Sequence, residues 1–308
     1  MAKLSKEKLV VVLVAVGIVL LAFGMLFEVR LRPSSWMRQL VKQVRPVKTV
    51  PKSEVDYQTL AAKVIPAEGK VVKVAWADMG RKLVKAGAIN MAKWEENFPS
   101  MSDDQRQVLE GEDVQEIKFT QENIVFWTDV LWALGLTQRS KVLSQGPMWQ
   151  NREQTPIGNY AATGGWTLGT KKATQLYNSE ALIQLTSEQD DLVYGIAENI
   201  YRPCCGNSAA YPDCNHGMAV LGLLELMAAT GASEAEMYDA ALAFNTYAFA
   251  DTYINAAADL ASQGKDWGSV EAKLMLGYDY SSGRGASGVA KRVGEISGAP
   301  KRGVGCGV

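Results

Sequence analysis

Apolar residues recur at helical spacing through most of the chain between residues 55 and 276. In the segment "TQENIVFWTDVLWALGL", Ile124, Trp127 and Leu131 fall on one side of a helix. The segment "HGMAVLGLLELMAATG" repeats this spacing, and Gly231 follows its last apolar residues, which is typical of a helix end. The pattern therefore predicts a mainly α, compact helical domain over residues 55–276.

Three helix starts carry the same polar signal. In a capping box, a Ser or Thr and a Gln or Glu three residues later each bond the other residue's backbone amide. The pairs at this spacing are Ser102 with Gln105, Thr186 with Gln189, and Ser233 with Glu236. Because this bonding satisfies amides that a helix leaves free at its N-terminus, the pairs predict three helix starts.

Two segments depart from the helical pattern. The stretch "KVVKVAW" at residues 70–76 alternates as a strand does, although it is short. From Gly277 onward the chain is rich in Gly and Ser and poor in large apolar residues. Such a composition buries little apolar surface, so it predicts a flexible tail over residues 277–308.

The N-terminus contains an uncharged apolar run of membrane-spanning length. From Leu9 to Phe27 no residue is charged, and a helix of this length spans roughly 28 Å, close to the hydrocarbon thickness of a bilayer. A cleavable signal peptide is the alternative, but the run is longer than a usual signal core and no small-x-small cleavage site follows. We therefore expect a single transmembrane anchor over residues 1–28.

A basic segment at residues 29–54 follows the anchor and is expected to form a juxtamembrane stalk, either solvated or lying on an anionic membrane surface. Its positive charges outnumber those before the apolar run, which favours a cytoplasmic domain. A very short N-terminal tail before a long domain is, however, typical of an export signal. We expect a single-pass protein of the cell membrane with its domain on the exported side.

Charge and loop composition argue against nucleic acid and nucleotide as partners. The 32 Lys and Arg nearly balance the 33 Asp and Glu, so no whole-chain field attracts a polyanion. In "TGGWTLGTKK", Gly164, Gly169, Thr170 and Lys171 come close to a phosphate-binding loop. That loop needs its Lys before the hydroxyl residue and a buried strand in front, and both are missing here. The loop more simply allows tight turns while Trp166 packs on the core or covers the cysteines.

The chemically distinctive stretch is "YRPCCGNSAAYPDCNHG", which contains three of the four cysteines and the single histidine of the chain. The candidate ligands are Cys204, Cys205, Cys214 and His216. Thiolate and imidazole are the donors that soft transition metals prefer, so these residues predict a loop site for a Cu or Zn ion, with Cu(I) favoured. The fourth cysteine, Cys306, lies in the predicted tail and is a doubtful partner.

Other interpretations of the same cysteines stay open. A disulfide between Cys205 and Cys214, with Cys204 as the attacking thiol, would indicate thiol–disulfide redox chemistry, and Cys214 with His216 could form a nucleophilic pair. Cys214 lies near a predicted helix N-terminus, which lowers a thiol pKa, while Asp213 could cap that helix or accept from the histidine. The block could also be only a packed corner of a structural or interaction protein.

The two distinctive blocks also carry a resemblance. The "TGGWTLG" loop at residues 163–169 and the "YRPCC…PDCNHGMAVLGLLELMA" block at residues 201–228 resemble an uncharacterised family of membrane-anchored bacterial proteins, over about residues 70–250. The chain is more loosely similar to exported bacterial proteins named for a PCYCGC motif, although "PCCGNS" replaces their alternating cysteines. The resemblances imply a membrane anchor, an important Cys/His block and a metal-related role.

Overall fold

The described part of the chain leaves both ends out. The computed structural model describes residues 56–74, 76–111 and 113–300. The predicted anchor at residues 1–28, the stalk at residues 29–54 and Cys306 lie outside these residues. Among the helices of the described ranges, none combines the length and the apolar character that a bilayer crossing requires.

The described chain is mainly α-helical, as the apolar pattern predicts. Its helices are α1 (Tyr57–Val64), α2 (Met79–Ala86), α3 (Met91–Asn97), α4 (Asp103–Glu110), α5 (Ile124–Thr137), α6 (Lys141–Gln145), α7 (Pro147–Gln150), α8 (Ala161–Gly164), α9 (Ala173–Leu176), α10 (Ser187–Ala197), α11 (Asn215–Ala229), α12 (Glu234–Ala248), α13 (Ala250–Ser262), α14 (Ala272–Leu276), α15 (Tyr278–Ser281) and α16 (Gly283–Val293). Single 3-10 turns occur at Ile157–Asn159 and Trp267–Ser269.

A small antiparallel sheet accompanies the helices. Strand β1 (Lys70–Val72) pairs with β2 (Ile117–Phe119), and Lys70 lies opposite Phe119. Val72, Ile117 and Phe119 are buried, so one face of the pair joins the core, as alternation in a half-buried strand predicts. The strand predicted over residues 70–76 is therefore present but ends at Val72.

The core is built around two helices, α5 and α11, which pack along each other. Their backbones approach closely where Gly135 faces Gly222. A Cβ atom at Gly135 would lie 2.1 Å from the Met218 carbonyl oxygen, and one at Gly222 would lie 2.6 Å from the Leu131 carbonyl oxygen. Only glycine fits at such a distance, so this pair of residues sets how near the helices come.

All three predicted capping boxes are confirmed. The side chains of Ser102, Thr186 and Ser233 accept from the amides of the residues three positions later, at the starts of α4, α10 and α12. In each case the side-chain oxygen of the Gln or Glu accepts a hydrogen bond from the backbone amide of the cap residue. These starts were predictable because a cap depends only on residues within one helical turn.

The prediction of a flexible tail from Gly277 onward is wrong for residues 278–293. Helices α15 and α16 form there, α16 packs on α13, and Val289 and Val293 are buried. The small residues that indicated flexibility permit close packing instead, since a Cβ at Gly285 would lie 2.2 Å from the Tyr278 carbonyl oxygen. The helical domain therefore extends past residue 276.

Candidate metal site at the start of helix α11

The loop that carries the cysteines is held by backbone hydrogen bonds from distant parts of the chain. The Tyr201 amide donates to the Leu276 carbonyl oxygen at 2.8 Å, and the Gly283 amide donates to that of Cys205 at 2.7 Å. From helix α8, the Ala162 amide donates to the Asp213 carbonyl oxygen at 3.0 Å. The predicted tail and the glycine-rich loop region thus both help to shape the site.

Cys214 is the N-cap of helix α11, which agrees with its predicted position near the start of a helix. Its backbone is extended, and its Sγ accepts from the Gly217 amide at 3.4 Å. The Sγ atom of Cys204 lies 3.4 Å away from it. A sulfur at a helix N-terminus faces unpaired amides and the positive end of the helix dipole, which favour the thiolate.

His216 lies in the first turn of α11, as predicted. Its side chain is only 4% exposed, and its ring packs against that of Phe249, with the ring centroids 4.5 Å apart. The imidazole therefore reaches the cysteine cluster from the side of the core. A buried imidazole with fixed neighbours is pre-oriented, which favours a ligand role over a freely rotating one.

The predicted ligands come together as two overlapping groups. The ligand atoms of Cys204, Cys214 and His216 all lie within 4.8 Å of one another, and we call this group the inner triad. The atoms of Cys205, Asp213 and Cys214 meet the same limit, and we call this group the outer triad. Both triads contain Cys214, so the cluster can hold a metal ion, with Cys214 as the shared ligand.

Arg202 is the functional residue that the sequence analysis missed. It is fully buried, its Nε donates to Cys214 Sγ at 3.3 Å, and its Nη2 donates to Asp213 Oδ1 at 2.6 Å. Space for the guanidinium exists because Gly217 has no side chain, since a Cβ there would lie 2.6 Å from Arg202 Cζ. The sequence feature that could have identified Arg202 is its position as a single cation two residues before the adjacent cysteines Cys204 and Cys205.

Asp213 has a different role from the two that the sequence suggested. Its second carboxylate oxygen accepts from the Asn207 side-chain amide at 2.8 Å, and its first pairs with Arg202. The cap of α11 is Cys214 instead. Asp213 therefore balances the buried guanidinium, and any metal ion bound by its carboxylate must compete with these two partners.

The thiols of the cluster divide into one acidic group and two weakly acidic ones. Hydrogen bonds from Cys204, from Cys205 and, after the opposing effect of burial, from His216 lower the pKa of Cys214, and the charge of Arg202 acts in the same direction. Hydrogen bonding to Cys205 and Cys214, followed by burial, raises the pKa of Cys204. Cys214 is thus the most acidic thiol of the cluster, which agrees with the lowered pKa predicted for it.

The glycine-rich loop contributes to the core. Trp166 is 5% exposed, and its Nε1 donates to the Ala88 carbonyl oxygen at 2.8 Å. Its ring packs against Trp132 and Trp94. The amides of Thr170 and Lys171 donate to the Gly87 carbonyl oxygen. Backbone bonds therefore join the loop to Gly87, and Trp166 packs on the core, which is one of the two positions predicted for it.

The three cysteines of the block are free thiols in this structure. The sulfur contact at 3.4 Å joins Cys204 to Cys214, whereas the sequence suggested a bond between Cys205 and Cys214. Cys204 and Cys205 are adjacent in the chain, so the sequence could not show which of them faces Cys214. The direction of each side chain depends on how the loop folds.

Comparison with protein-family models finds no matching family, and comparison with curated proteins and with solved structures finds no match either. The described residues define a class: a mainly helical protein with a Cys/His cluster, at the start of a buried helix, that can hold a metal ion. The cluster is therefore the feature of the described residues on which a proposed function rests.

Proposed function

We propose that the protein binds one soft transition-metal ion at Cys204, Cys214 and His216 and handles, transfers or senses it. The observation that carries the proposal is the inner triad, whose three ligand atoms lie within 4.8 Å of one another. Two sulfur ligands and one imidazole favour Cu(I), followed by Zn(II), over hard ions such as Mg²⁺. Three protein ligands also leave a position for water, a partner or a transferred ion.

The electrostatics of the triad support a cationic ligand. The neighbours of Cys214 lower its pKa, so this thiol gives up its proton to a binding metal more readily than the others do. Cys204, whose pKa is raised, must release its proton when the ion binds. Metal affinity should therefore increase with pH, because the second thiolate forms more readily.

We place the protein in the cell membrane, with the domain on the exported side. This part of the proposal rests on the uncharged run from Leu9 to Phe27 and on the short tail before it. An anchored domain would keep the metal site within reach of the membrane surface. The placement is tested by extraction of the full-length chain with alkaline carbonate and with detergent, and by protease access in intact cells.

The decisive experiment for metal binding replaces Cys214 by Ser. The full-length chain, purified without oxygen, should take up about one Cu(I) or Zn(II), measured by metal mass spectrometry, because three converging ligands define one site. Cys214→Ser should lose this uptake. Ser is itself a preferred N-cap residue, so helix α11 should still start correctly. Cys306→Ser, which removes the thiol outside the block, is the matched control and should bind as the parent does.

One further measurement makes the result decisive. Circular dichroism checks that Cys214→Ser keeps the helical content of the parent, so that loss of metal is not loss of fold. Stoichiometric uptake by this folded variant would contradict the proposed ligand set.

Thiol–disulfide chemistry is a second candidate, and the 3.4 Å approach of Cys204 Sγ to Cys214 Sγ favours it. A small disulfide would accept two electrons and two protons from the two thiols, leaving a protein disulfide and two small thiols. Peptide mass mapping after such treatment should find a reversible bond between Cys204 and Cys214. Absence of this bond, with stoichiometric metal in the untreated protein, would exclude the redox role.

A further inference from the structure

The metal cluster has a side that faces the core and a side that faces solvent. In the inner triad, His216 is 4% exposed and lies against Phe249. In the outer triad, the side chain of Asp213 is 23% exposed. Cys205 is followed by the exposed Gly206, at which a Cβ would meet no atom within 4 Å. The surface next to Cys205 is therefore open to an approaching molecule.

The outer triad is the weaker of the two for a cation. Arg202 and Asn207 already occupy the Asp213 carboxylate, at 2.6 and 2.8 Å. An ion bound there must displace one of these bonds, and breaking a bond to a buried guanidinium is costly. The inner triad has an imidazole in place of this engaged carboxylate. Because Cys214 belongs to both triads, an ion can move from one triad to the other without leaving Cys214.

We propose that the inner triad holds the ion and that Cys205 is the exit ligand, which passes the ion to an acceptor with paired thiols. This inference rests on the proposed metal-binding function and adds a direction of transfer to it. Cys205 suits the role because it lies within reach of the shared ligand Cys214 and borders the open surface. The acceptor is expected to carry two thiols because only soft donors compete for an ion held by thiolates.

The transfer is a sequence of ligand exchanges without electron transfer. The Cys205 thiol gives its proton to water, and its sulfur bonds the ion while the bond to the His216 nitrogen breaks. The first thiolate of the acceptor then bonds the ion as the bond to Cys204 breaks. The second acceptor thiolate bonds the ion as the bond to Cys214 breaks, and the ion then leaves Cys205 and ends with two ligands on the acceptor. The oxidation state of the ion stays constant. The two acceptor thiols release their protons to water as they bind, and Cys204 and Cys205 take protons from water as they are released.

The loop is fixed in a way that keeps Cys205 in place for this exchange. Its carbonyl oxygen accepts from the Gly283 amide at 2.7 Å, and a Cβ at Gly283 would lie 3.2 Å from the same oxygen. Helix α16 therefore supports the backbone of Cys205. The Cys205 thiol makes a long contact of 3.8 Å with the Asn207 carbonyl oxygen and lies within 4.8 Å of the Cys214 sulfur. A fixed backbone that holds a thiol next to the shared ligand suits a ligand that exchanges.

The test separates holding the ion from releasing it. The full-length chain is loaded with one Cu(I) and mixed with a fluorescent peptide that contains a Cys-x-x-Cys pair, whose emission Cu(I) quenches. We expect Cys205→Ser to keep the stoichiometry and affinity of the parent but to transfer at least about tenfold more slowly, since the serine hydroxyl is not the soft donor that the exchange requires. Cys204→Ser should instead lose at least about tenfold in affinity. Cys306→Ser should match the parent in both measurements.

Each other outcome overturns a distinct statement. Transfer by Cys205→Ser at the parent rate, with the parent still binding one Cu(I), would overturn the exit role alone. Loss of stoichiometric Cu(I) by Cys205→Ser while Cys204→Ser retains it would overturn the order of the two triads. A parent chain that takes up no Cu(I) in the same titration would overturn the proposed function itself. Cys205→Ala serves as a second variant should the serine hydroxyl alter the loop, which circular dichroism would detect.

Discussion

Asp129 is a carboxyl on the central helix α5 with 9% of its surface exposed. Burial raises its pKa to about 7, and burial likewise raises the pKa of Glu225 on the facing helix α11 well above its usual range. Each of these groups therefore keeps a proton in the folded chain at pH values where the unfolded chain has released it. Individual buried residues thus make the stability of the protein depend on pH.

The consequence can be measured by replacing Asp129 with Asn. Between the pKa in the unfolded chain, 3.8, and the pKa in the folded chain, about 7, the folded state binds more protons. The free energy of unfolding should therefore fall as pH rises through this window, by up to about 4 kcal/mol from this residue. In Asp129→Asn the fall should be smaller, with Glu225 still contributing. Urea unfolding at pH 4, 5.5, 7 and 8 measures the free energy of unfolding of the parent and of Asp129→Asn.

The matched control is Glu96→Gln on helix α3, which also removes a carboxyl but at an exposed position. Its stability should follow the parent at every pH. A curve for Asp129→Asn that runs parallel to that of the parent from pH 4 to pH 7 would show that Asp129 does not titrate in this window.

At the scale of elements, the contact between α5 and α11 depends on two glycines that no helix rule favours. Glycine is among the poorest helix formers, yet Gly222 lies in the middle of α11 and Gly135 in the last turn of α5, and both helices are buried along most of their length. A Cβ at Gly222 would lie 2.7 Å from the Gly135 amide nitrogen. The two helices therefore lose intrinsic stability and recover it through closer packing.

Gly222→Ala should destabilise the protein although alanine is the better helix former. The added methyl forces the helices apart, at a cost of about 1 to 3 kcal/mol. Gly195→Ala on α10 is the matched control, because a Cβ there meets no atom within 4 Å, and it should stabilise by about 0.5 to 1 kcal/mol. Urea midpoints give both values. A Gly222→Ala protein at least as stable as the parent would contradict the close contact.

At the scale of the whole molecule, the C-terminal segment and the cysteine loop depend on each other. Helix α16 packs on α13, and its first residue, Gly283, bonds the Cys205 carbonyl oxygen. The Tyr201 amide bonds the Leu276 carbonyl oxygen in the same region. Removing the residues after Leu276 would expose buried side chains and leave the loop without the bond from Gly283 to Cys205.

Two truncations test this dependence. A chain that ends at residue 276 should unfold at a lower temperature and lose stoichiometric metal uptake, because both the packing of α16 and the bond to Cys205 are absent. A chain that ends at residue 300 keeps α16 and lacks Cys306, so it should match the full-length chain. Thermal unfolding and metal mass spectrometry measure the two effects. Normal metal uptake by the shorter chain would show that the loop holds its shape alone.

The sequence by itself determined the helical class, three helix starts and the four Cys and His residues of the cluster that could hold a metal ion. Helical spacing and capping boxes act within one or two turns, so their outcome depends on neighbouring residues alone. Cys204, Cys205, Cys214 and His216 lie within thirteen residues of one another, and this closeness already brought them to one loop. The sequence predicted a lowered pKa of Cys214 from its place at a helix start, whereas the hydrogen bonds from Cys204 and Cys205 that lower it most depend on how the loop folds.

Only the tertiary structure decided how these residues meet. The contact of Cys204 with Cys214, the burial of Arg202 between Cys214 and Asp213, and the support of Cys205 by Gly283 all depend on how the loop folds against other elements. The ordered helix α16 depends on the surface of α13 that it covers. Local sequence carries no information about a surface contributed by residues far away in the chain, and packing against that surface outweighs local composition.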